Sequence, residues 1–216
     1  MLTIGVLASG TGTNLQAIID ACGSGDINAR VGVVVSDNED AYALERARQH
    51  DIDARFCSAC DKRQHEEMIQ QTFEEHDVGL AVGAGYMRIL SPRFVRQWYG
   101  RIINIHPALL PSFKGTDGQG DALRYGVKLS GCTTHFMDER ADHGPIILQA
   151  AVRVHDDDSR DDLARRILRV EHQLLPRSID LFEQNRLNIE GRRVHIKPGD
   201  SWMDRALPDV LYADGF

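Results

Sequence analysis

The chain has 216 residues, which suits one domain, or one domain with a small appendage, because globular domains cluster near roughly 100–200 residues. Lys and Arg number 25 against 32 Asp and Glu, a net charge of −7, and this acidic balance argues against phosphate-backbone binding and so against a nucleic-acid partner. With 42% hydrophobic and 26% charged residues, the composition is that of an ordinary globular protein, neither disordered nor membranous.

The opening run Leu2–Leu7 is short and apolar with no basic region before it, so it reads as a strand rather than a secretion signal. No segment approaches the ~20 apolar residues of a membrane span, and the cytoplasm is the expected location. Val31–Val35, Ala54–Cys57, Val78–Val82 and Ile102–Ile105 are likewise short and rich in β-branched residues, as buried parallel strands are. Between them Asn14–Cys22, Ala41–His50, Lys62–His76 and Pro92–Trp98 carry helical spacing, with Asp40, Asp61 and Ser91 placed as N-caps. This alternation predicts a doubly wound, mostly parallel α/β sheet. Cys57 and Cys60 have C-x-x-C spacing, but no second pair follows, and the four cysteines read as structural thiols in a reducing compartment.

After about Pro107 the character changes. A Gly-rich loop is expected from Pro111 to Gly120, then strands at Ser130–Met137 and Pro145–Val154, close enough to extend the sheet as antiparallel pairs. A long helical segment runs from Ser159 to Asn185, capped by Ser159 and interrupted by Pro176. The acidic run His155-Asp156-Asp157-Asp158 before it reads as a solvated cap rather than a metal cluster. A hairpin about Gly191 (Leu187–Glu190, Val194–Lys197) opens the tail. The expected organisation is a domain over 1–187, with halves meeting near residue 100, and an appended hairpin and tail over 188–216.

Ser9-Gly10-Thr11-Gly12-Thr13-Asn14 joins the first strand to the first helix. Glycines there let backbone N–H groups converge, and the helix N-terminus adds partial positive charge, so a phosphate is the natural ligand for Gly12, Thr13 and Asn14. The alternative is a merely tight turn. The loop lacks the Lys of a nucleotide-hydrolysing P-loop, and the third glycine of a dinucleotide fingerprint falls at Leu15. Ligands of open α/β sheets gather at the carboxyl ends of strands, where Gly83–Leu90 mixes glycines with apolar residues as a wall for a flat ligand. Asn104 and His106 share a strand face, either as oxyanion donor and acid/base or as core residues.

Ser9–Ile18, Gly85–Pro92, Asn104–Pro111 and Asp142-His143-Gly144-Pro145-Ile146-Ile147 together give the chain an almost end-to-end resemblance to the phosphoribosylglycinamide formyltransferase family of folate-dependent enzymes. The resemblance implies that the first loop binds the ribosylglycinamide phosphate, and that Asn104, His106 and Asp142 are the catalytic trio. It further implies that Met87, Arg88, Ile89 and Leu90, with Asn104 and the loop Asp138, Glu139, Arg140, Ala141 and Asp142, enclose 10-formyltetrahydrofolate as co-substrate. Arg63 would lie near the folate tail and Glu171 near the glycinamide end. The loop Phe113–Gly120 departs from the common pattern.

Formyl transfer to an amine passes through an oxyanion-bearing tetrahedral adduct, so one site must both donate and accept protons. A protonated His106 with the Asn104 amide can stabilise the oxyanion, and Asp142 can accept the amine proton, which requires neither metal nor enzyme nucleophile. Small-molecule substrates and a monomer or homodimer are expected. The alternative within the superfamily is a formyltetrahydrofolate hydrolase, whose relatives carry an additional N-terminal regulatory domain. Methionyl-tRNA formyltransferase would need a basic tRNA-binding domain. From another class come a nucleotide-binding regulatory module and an NAD-dependent oxidoreductase, for which Asp37 stands about where a ribose-binding acid would.

Overall fold

A computed structural model of the chain describes residues 1–199 and 211–212, the last two by their backbone. The chain divides into two compact units, residues 1–104 and 105–216. In the first, β1 (Leu2–Leu7) pairs in parallel with β2 (Ala29–Ser36) on one edge and β4 (Leu80–Gly83) on the other. β3 (Asp53–Phe56) adds to β2, and β5 (Ile102–His106) to β4, again in parallel. Ile4, Val6, Leu7, Val33, Val34, Leu80, Val82 and Ile103 have no accessible surface, which is why these strands read as unbroken apolar runs rather than alternating ones.

Helices α1 (Thr13–Gly23), α2 (Tyr42–Gln49), α3 (Lys62–Glu75) and α4 (Pro92–Gln97) fill the crossovers. Asp61 caps α3 by accepting from Gln64 N, and Ser91 caps α4 by accepting from Phe94 N, with Pro92 at its first turn. Asp40 does not cap α2. The Asn38 side chain accepts from Asp40 N, and Ala41 N donates to the Asn38 carbonyl, so a turn leaves Ala41 in the cap position.

In the second unit, β6 (Leu129–Phe136) and β7 (Ile146–Arg153) form the expected antiparallel pair. The hairpin of β8 (Leu187–Glu190) and β9 (Arg193–Ile196) joins β7 through a parallel bridge from Ile146 to Arg193, and β10 (Leu211–Tyr212) also pairs with β7. The rest of the tail lies outside the described residues.

Two expectations fail here, and a third holds only in part. The Gly-rich loop ends early, because α5 spans Gly118–Tyr125. Two of its residues are glycines, which disfavour a helix, but Ala122 is fully buried and Asp117, at its N-cap, is held by Arg124 and Arg160.

Pro176 does not interrupt α6, which is continuous over Arg160–Glu183. A proline inside a helix costs ~3 kcal/mol, whereas each fully buried Leu, Ile or Val contributes ~1.5–3 kcal/mol. Leu163, Ile167, Leu174, Leu175 and Ile179 are all at most 1% exposed, so packing outweighs the break.

In the acidic run His155, Asp156 and Asp157 are solvated as expected, and Asp158 is not. Ser159 and Asp162 form a capping box by themselves, while Asp158, with only 5% of its side chain exposed, grips Arg166 through two bonds of 2.6 and 2.8 Å and accepts from His155 N.

The Arg166 hydrogen bonds outweigh desolvation and lower the Asp158 carboxyl from 3.8 to about 2. The pair's contribution is therefore present above the unfolded value, near pH ~4, and is lost as pH falls towards the folded value. Asp158→Asn should lower the melting temperature at neutral pH, with the gap from the parent protein closing as pH drops from about 4 to about 2. Melts across that range check this, and a gap that ignores pH would refute it.

Candidate active site

The first loop is built by its carbonyls. Gly10 C=O accepts from Ala43 N at 3.0 Å, Thr11 C=O from Arg46 Nε at 2.8 Å, and Gly12 C=O from Gln16 N at 2.9 Å. A planar trans peptide points its N–H opposite to its C=O, so the N–H groups of Thr11, Gly12 and Thr13 turn away from these partners. They lie at the N-terminus of α1, an arrangement suited to an anion. Gly12 has φ 70, and a Cβ there would stand 2.8 Å from the Ala43 backbone, so only glycine fits. Thr13 is the first residue of α1, and Asn14 is buried behind it.

Beyond β4 the chain leaves Met87 and Ile89 at 60% and 69% exposure while burying Tyr86 and Leu90 on either side. Two large apolar side chains are thus held in solvent by buried anchors. Tyr86 is fixed by a hydrogen bond to the buried His65 ring, and burial pushes its phenol well up. Ser91, which ends the wall, donates through N and Oγ to Glu66 of α3. Arg88 directs Nε to Asp37 at 2.7 Å, so its guanidinium is engaged within the protein. Arg63 stands exposed on the first turn of α3, paired with Glu67 at 2.8 Å. It lines a groove of about 460 Å³ together with Glu66, Gln70 and Phe94.

Asn104 and His106 lie two apart on β5 and so share a face. A Cβ at Gly83 would stand 2.6 Å from Asn104 Oδ1, so a glycine on β4 makes room for that amide. In the second unit His106 is 3% exposed, with Nε2 2.8 Å from the Phe113 carbonyl and Nδ1 3.5 Å from Asp142 Oδ1. A carbonyl only accepts, so Nε2 carries a proton and Nδ1 faces the carboxylate. Asp142 Oδ2 accepts from Gly115 N at 2.9 Å. Thus the unusual loop 113–120 supplies both the His106 partner and the Asp142 anchor.

Phe113 and Asp142 adopt left-handed φ values of 51 and 50, each costing ~1–2 kcal/mol for a non-glycine residue. Asp51, Asp77 and Asn185 share this conformation elsewhere, and at Phe113 and Asp142 it falls on the two residues that hold and face His106.

His135, which the sequence reading missed, places Nε2 3.9 Å from Asp142 Oδ1, and its Nδ1 bonds the Phe136 carbonyl at 2.9 Å. Burial pushes its pKa down, more than the carbonyl and Asp142 push it up, and this favours a neutral ring. In the 138–142 loop, Asp138 accepts from Arg140 N and His143 Nδ1, while Glu139, Arg140 and Ala141 are exposed. Arg192, at the turn of the β8–β9 hairpin, donates to the His143 carbonyl at 2.8 Å and contacts its ring. No local pattern signals this contact, made across 49 residues of chain. Glu171 is buried on α6, and its carboxylate adds to the burial that raises the Cys132 thiol well up.

Cys57 is buried, Cys60 exposed, and all four cysteines are free. Among the described residues no group of three His, Cys, Asp or Glu is placed to hold a metal, and no helix is long and apolar enough to cross a membrane.

The mostly parallel α/β fold is that of a formyl transferase: residues 2–179 match that family, and the chain belongs to it. Within it, a phosphoribosylglycinamide formyltransferase from Haemophilus influenzae is 39% identical over 99% of this chain and 100% of its own length. A crystal structure of glycinamide ribonucleotide transformylase 1 from Symbiobacterium toebii is 48% identical, with a TM-score of 0.90 over 92% of this chain and 95% of that one. A formyltetrahydrofolate deformylase from Pseudomonas syringae has a TM-score of 0.86 at 28% identity, covering 91% of this chain and 66% of that one.

The glycine requirement in the first loop can be tested directly. Gly12→Ala should lower the melting temperature by ~2–8 °C, since left-handed strain of ~1–2 kcal/mol adds to the clash with Ala43. An unchanged melt would mean that the loop relaxes freely.

Proposed function

We propose that the chain transfers the formyl group of 10-formyltetrahydrofolate to the amine of 5-phosphoribosylglycinamide, a step of purine biosynthesis. The observation that carries this reading is a buried His106 held between a carbonyl and a carboxylate, in a chain similar over nearly its whole length to enzymes of that name. In this reading the backbone N–H groups of the first loop, with Gly12, Thr13 and the Asn14 side chain, hold the substrate phosphate. Met87 and Ile89 offer apolar surface to the pterin, Arg88 and Leu90 offer backbone, and the 138–142 loop completes the enclosure. Arg63 and Glu171 keep their proposed places at the folate tail and the glycinamide end.

The bound folate supplies the formyl carbon. Asn104 and the imidazolium of His106 donate hydrogen bonds to the oxygen on which negative charge develops. Asp142 is anchored through Oδ2, and its Oδ1 stands 3.5 Å from His106 Nδ1, beyond an ordinary hydrogen bond. That oxygen is available to take a proton from the attacking amine, directly or through water, and the proton passes on to the folate nitrogen as its bond to the formyl carbon breaks. The Phe113 carbonyl holds the ring by Nε2 throughout, which fixes where Nδ1 points.

The deformylase likeness favours a second reading, in which the same side chains serve water instead of an amine. A steady-state assay of formyl consumption, run with phosphoribosylglycinamide and with water alone, separates the two. Turnover that needs the amine supports the transferase; equal turnover without it supports the hydrolase. In the same assay His106→Ala, Asn104→Ala and Asp142→Asn should each lower kcat by roughly 10²–10⁴-fold with substrate binding largely kept, and the losses should not add in double variants. A His106→Ala enzyme of near-normal kcat would refute the assignment.

A further inference from the structure

In the first unit the loops after β1, β2 and β4 meet at one carboxylate. Asp37, the residue following β2, has only 7% of its side chain exposed. Its Oδ1 accepts from Ser9 Oγ at 2.5 Å and its Oδ2 from Arg88 Nε at 2.7 Å. The Ser9 hydroxyl has one proton, and giving it to Asp37 turns a lone pair to Met87 N, which donates to it at 2.8 Å. Ser9 N in turn donates to the Gly85 carbonyl at 3.1 Å. Ser9 opens the first loop, and Gly85, Met87 and Arg88 belong to the apolar wall. Burial pushes the Asp37 carboxyl up, but the bonds from Ser9 and Arg88 more than reverse this and hold it below its ordinary value.

An acid at this point of the fold could bind a ribose, yet both of its oxygens are taken by protein donors. We propose that Asp37 is a positioning residue that couples the phosphate loop to the folate wall, so that filling either one strengthens binding at the other. The proposal rests on the ligand assignments made above. Any motion that a ligand quenches in one loop is quenched in part in the other, because the Ser9 hydroxyl and the Asp37 carboxylate bridge the two by hydrogen bonds, so fixing one removes part of the cost of fixing the other. Linkage makes the effect reciprocal.

The side-chain chemistry predicts how variants separate. Asp37→Asn removes the charge that holds Arg88 and replaces one accepting oxygen with an NH₂ group: turned to Arg88 it meets donor with donor, and turned to Ser9 it reverses that bond, so the hydroxyl accepts and its proton must find another partner. Ser9→Ala leaves the Asp37–Arg88 pair and removes both bonds of the hydroxyl, the one it donates to Asp37 Oδ1 and the one it accepts from Met87 N. Calorimetric titrations would use phosphoribosylglycinamide and tetrahydrofolate, a pair with no formyl group to transfer, each alone and each with the other saturating.

In the parent protein the second ligand should bind about fivefold or more tightly once the first is bound, and equally in either order. In Asp37→Asn and in Ser9→Ala that factor should fall below about twofold, while each ligand alone still binds. In turnover, KM should rise for both substrates with kcat held, because neither residue meets the reacting atoms. A purely structural role would weaken both ligands but leave the coupling factor intact, which would overturn the proposal, as would a parent protein that binds both ligands independently. A parent protein that binds neither ligand would instead overturn the functional reading on which the proposal rests. Thermal melts accompany each variant, and Ser9→Ala decides the matter if Asp37→Asn fails to fold.

Discussion

Strand β1 has neither an exposed edge nor an exposed face, and everything polar in the first unit is arranged around that fact. A strand buried on all sides cannot present side chains to a ligand along its length, so chemistry is confined to where it stops. The same holds for β4 and for β2 from Val33 to Ser36, its neighbours. Their ends carry Ser9, Asp37 and the wall from Gly85, and the three are joined through hydroxyl, carboxylate and backbone rather than through packing. Burial of the sheet thus explains both the rigidity of the scaffold and the location of its polar groups.

The second unit solves a different problem, that of holding a buried imidazole and a carboxylate close without letting them close completely. Residues 113–115 and residue 142 meet there through backbone groups, with Phe113 C=O accepting from His106 and Gly115 N donating to Asp142. Backbone partners are well suited to this, because they neither titrate nor change rotamer. The cost appears as left-handed backbone at Phe113 and Asp142. Strain of ~1–2 kcal/mol at each position is tolerable because the core beneath them, β6, β7 and α6, buries many apolar side chains worth ~1.5–3 kcal/mol apiece. His135 and Arg192 extend the same arrangement outward, one beside Asp142 and the other on the neighbouring His143.

Much of this could be read directly from residue order. Apolar runs such as Leu2–Leu7 and the helical spacing between them have one economical explanation, a parallel sheet with crossover helices, because periodicity is a local property. The caps at Asp61, Ser91 and Ser159 were legible for the same reason, each requiring only a side chain and an N–H two or three residues on. Asp40 misled because Asn38 competes for the same turn. α5 and the continuity of α6 through Pro176 were not legible, since local propensity opposes both and tertiary burial decides them.

The sequence by itself determined which residues could carry chemistry: a Gly-rich loop after the first strand, Asn104 and His106 on one strand face, and an aspartate at 142. The loop and the strand pair follow from short-range spacing, and the aspartate from the resemblance to the formyltransferase family. Only the tertiary structure decided their partners. That Asp37 serves Ser9 and Arg88, that the Phe113 carbonyl holds His106, and that Arg192 reaches His143 depend on chain segments brought together from 7 to 51 residues apart. A hydrogen bond demands ångström-scale placement of both groups, and spacing along the chain limits that placement only within a turn or a strand.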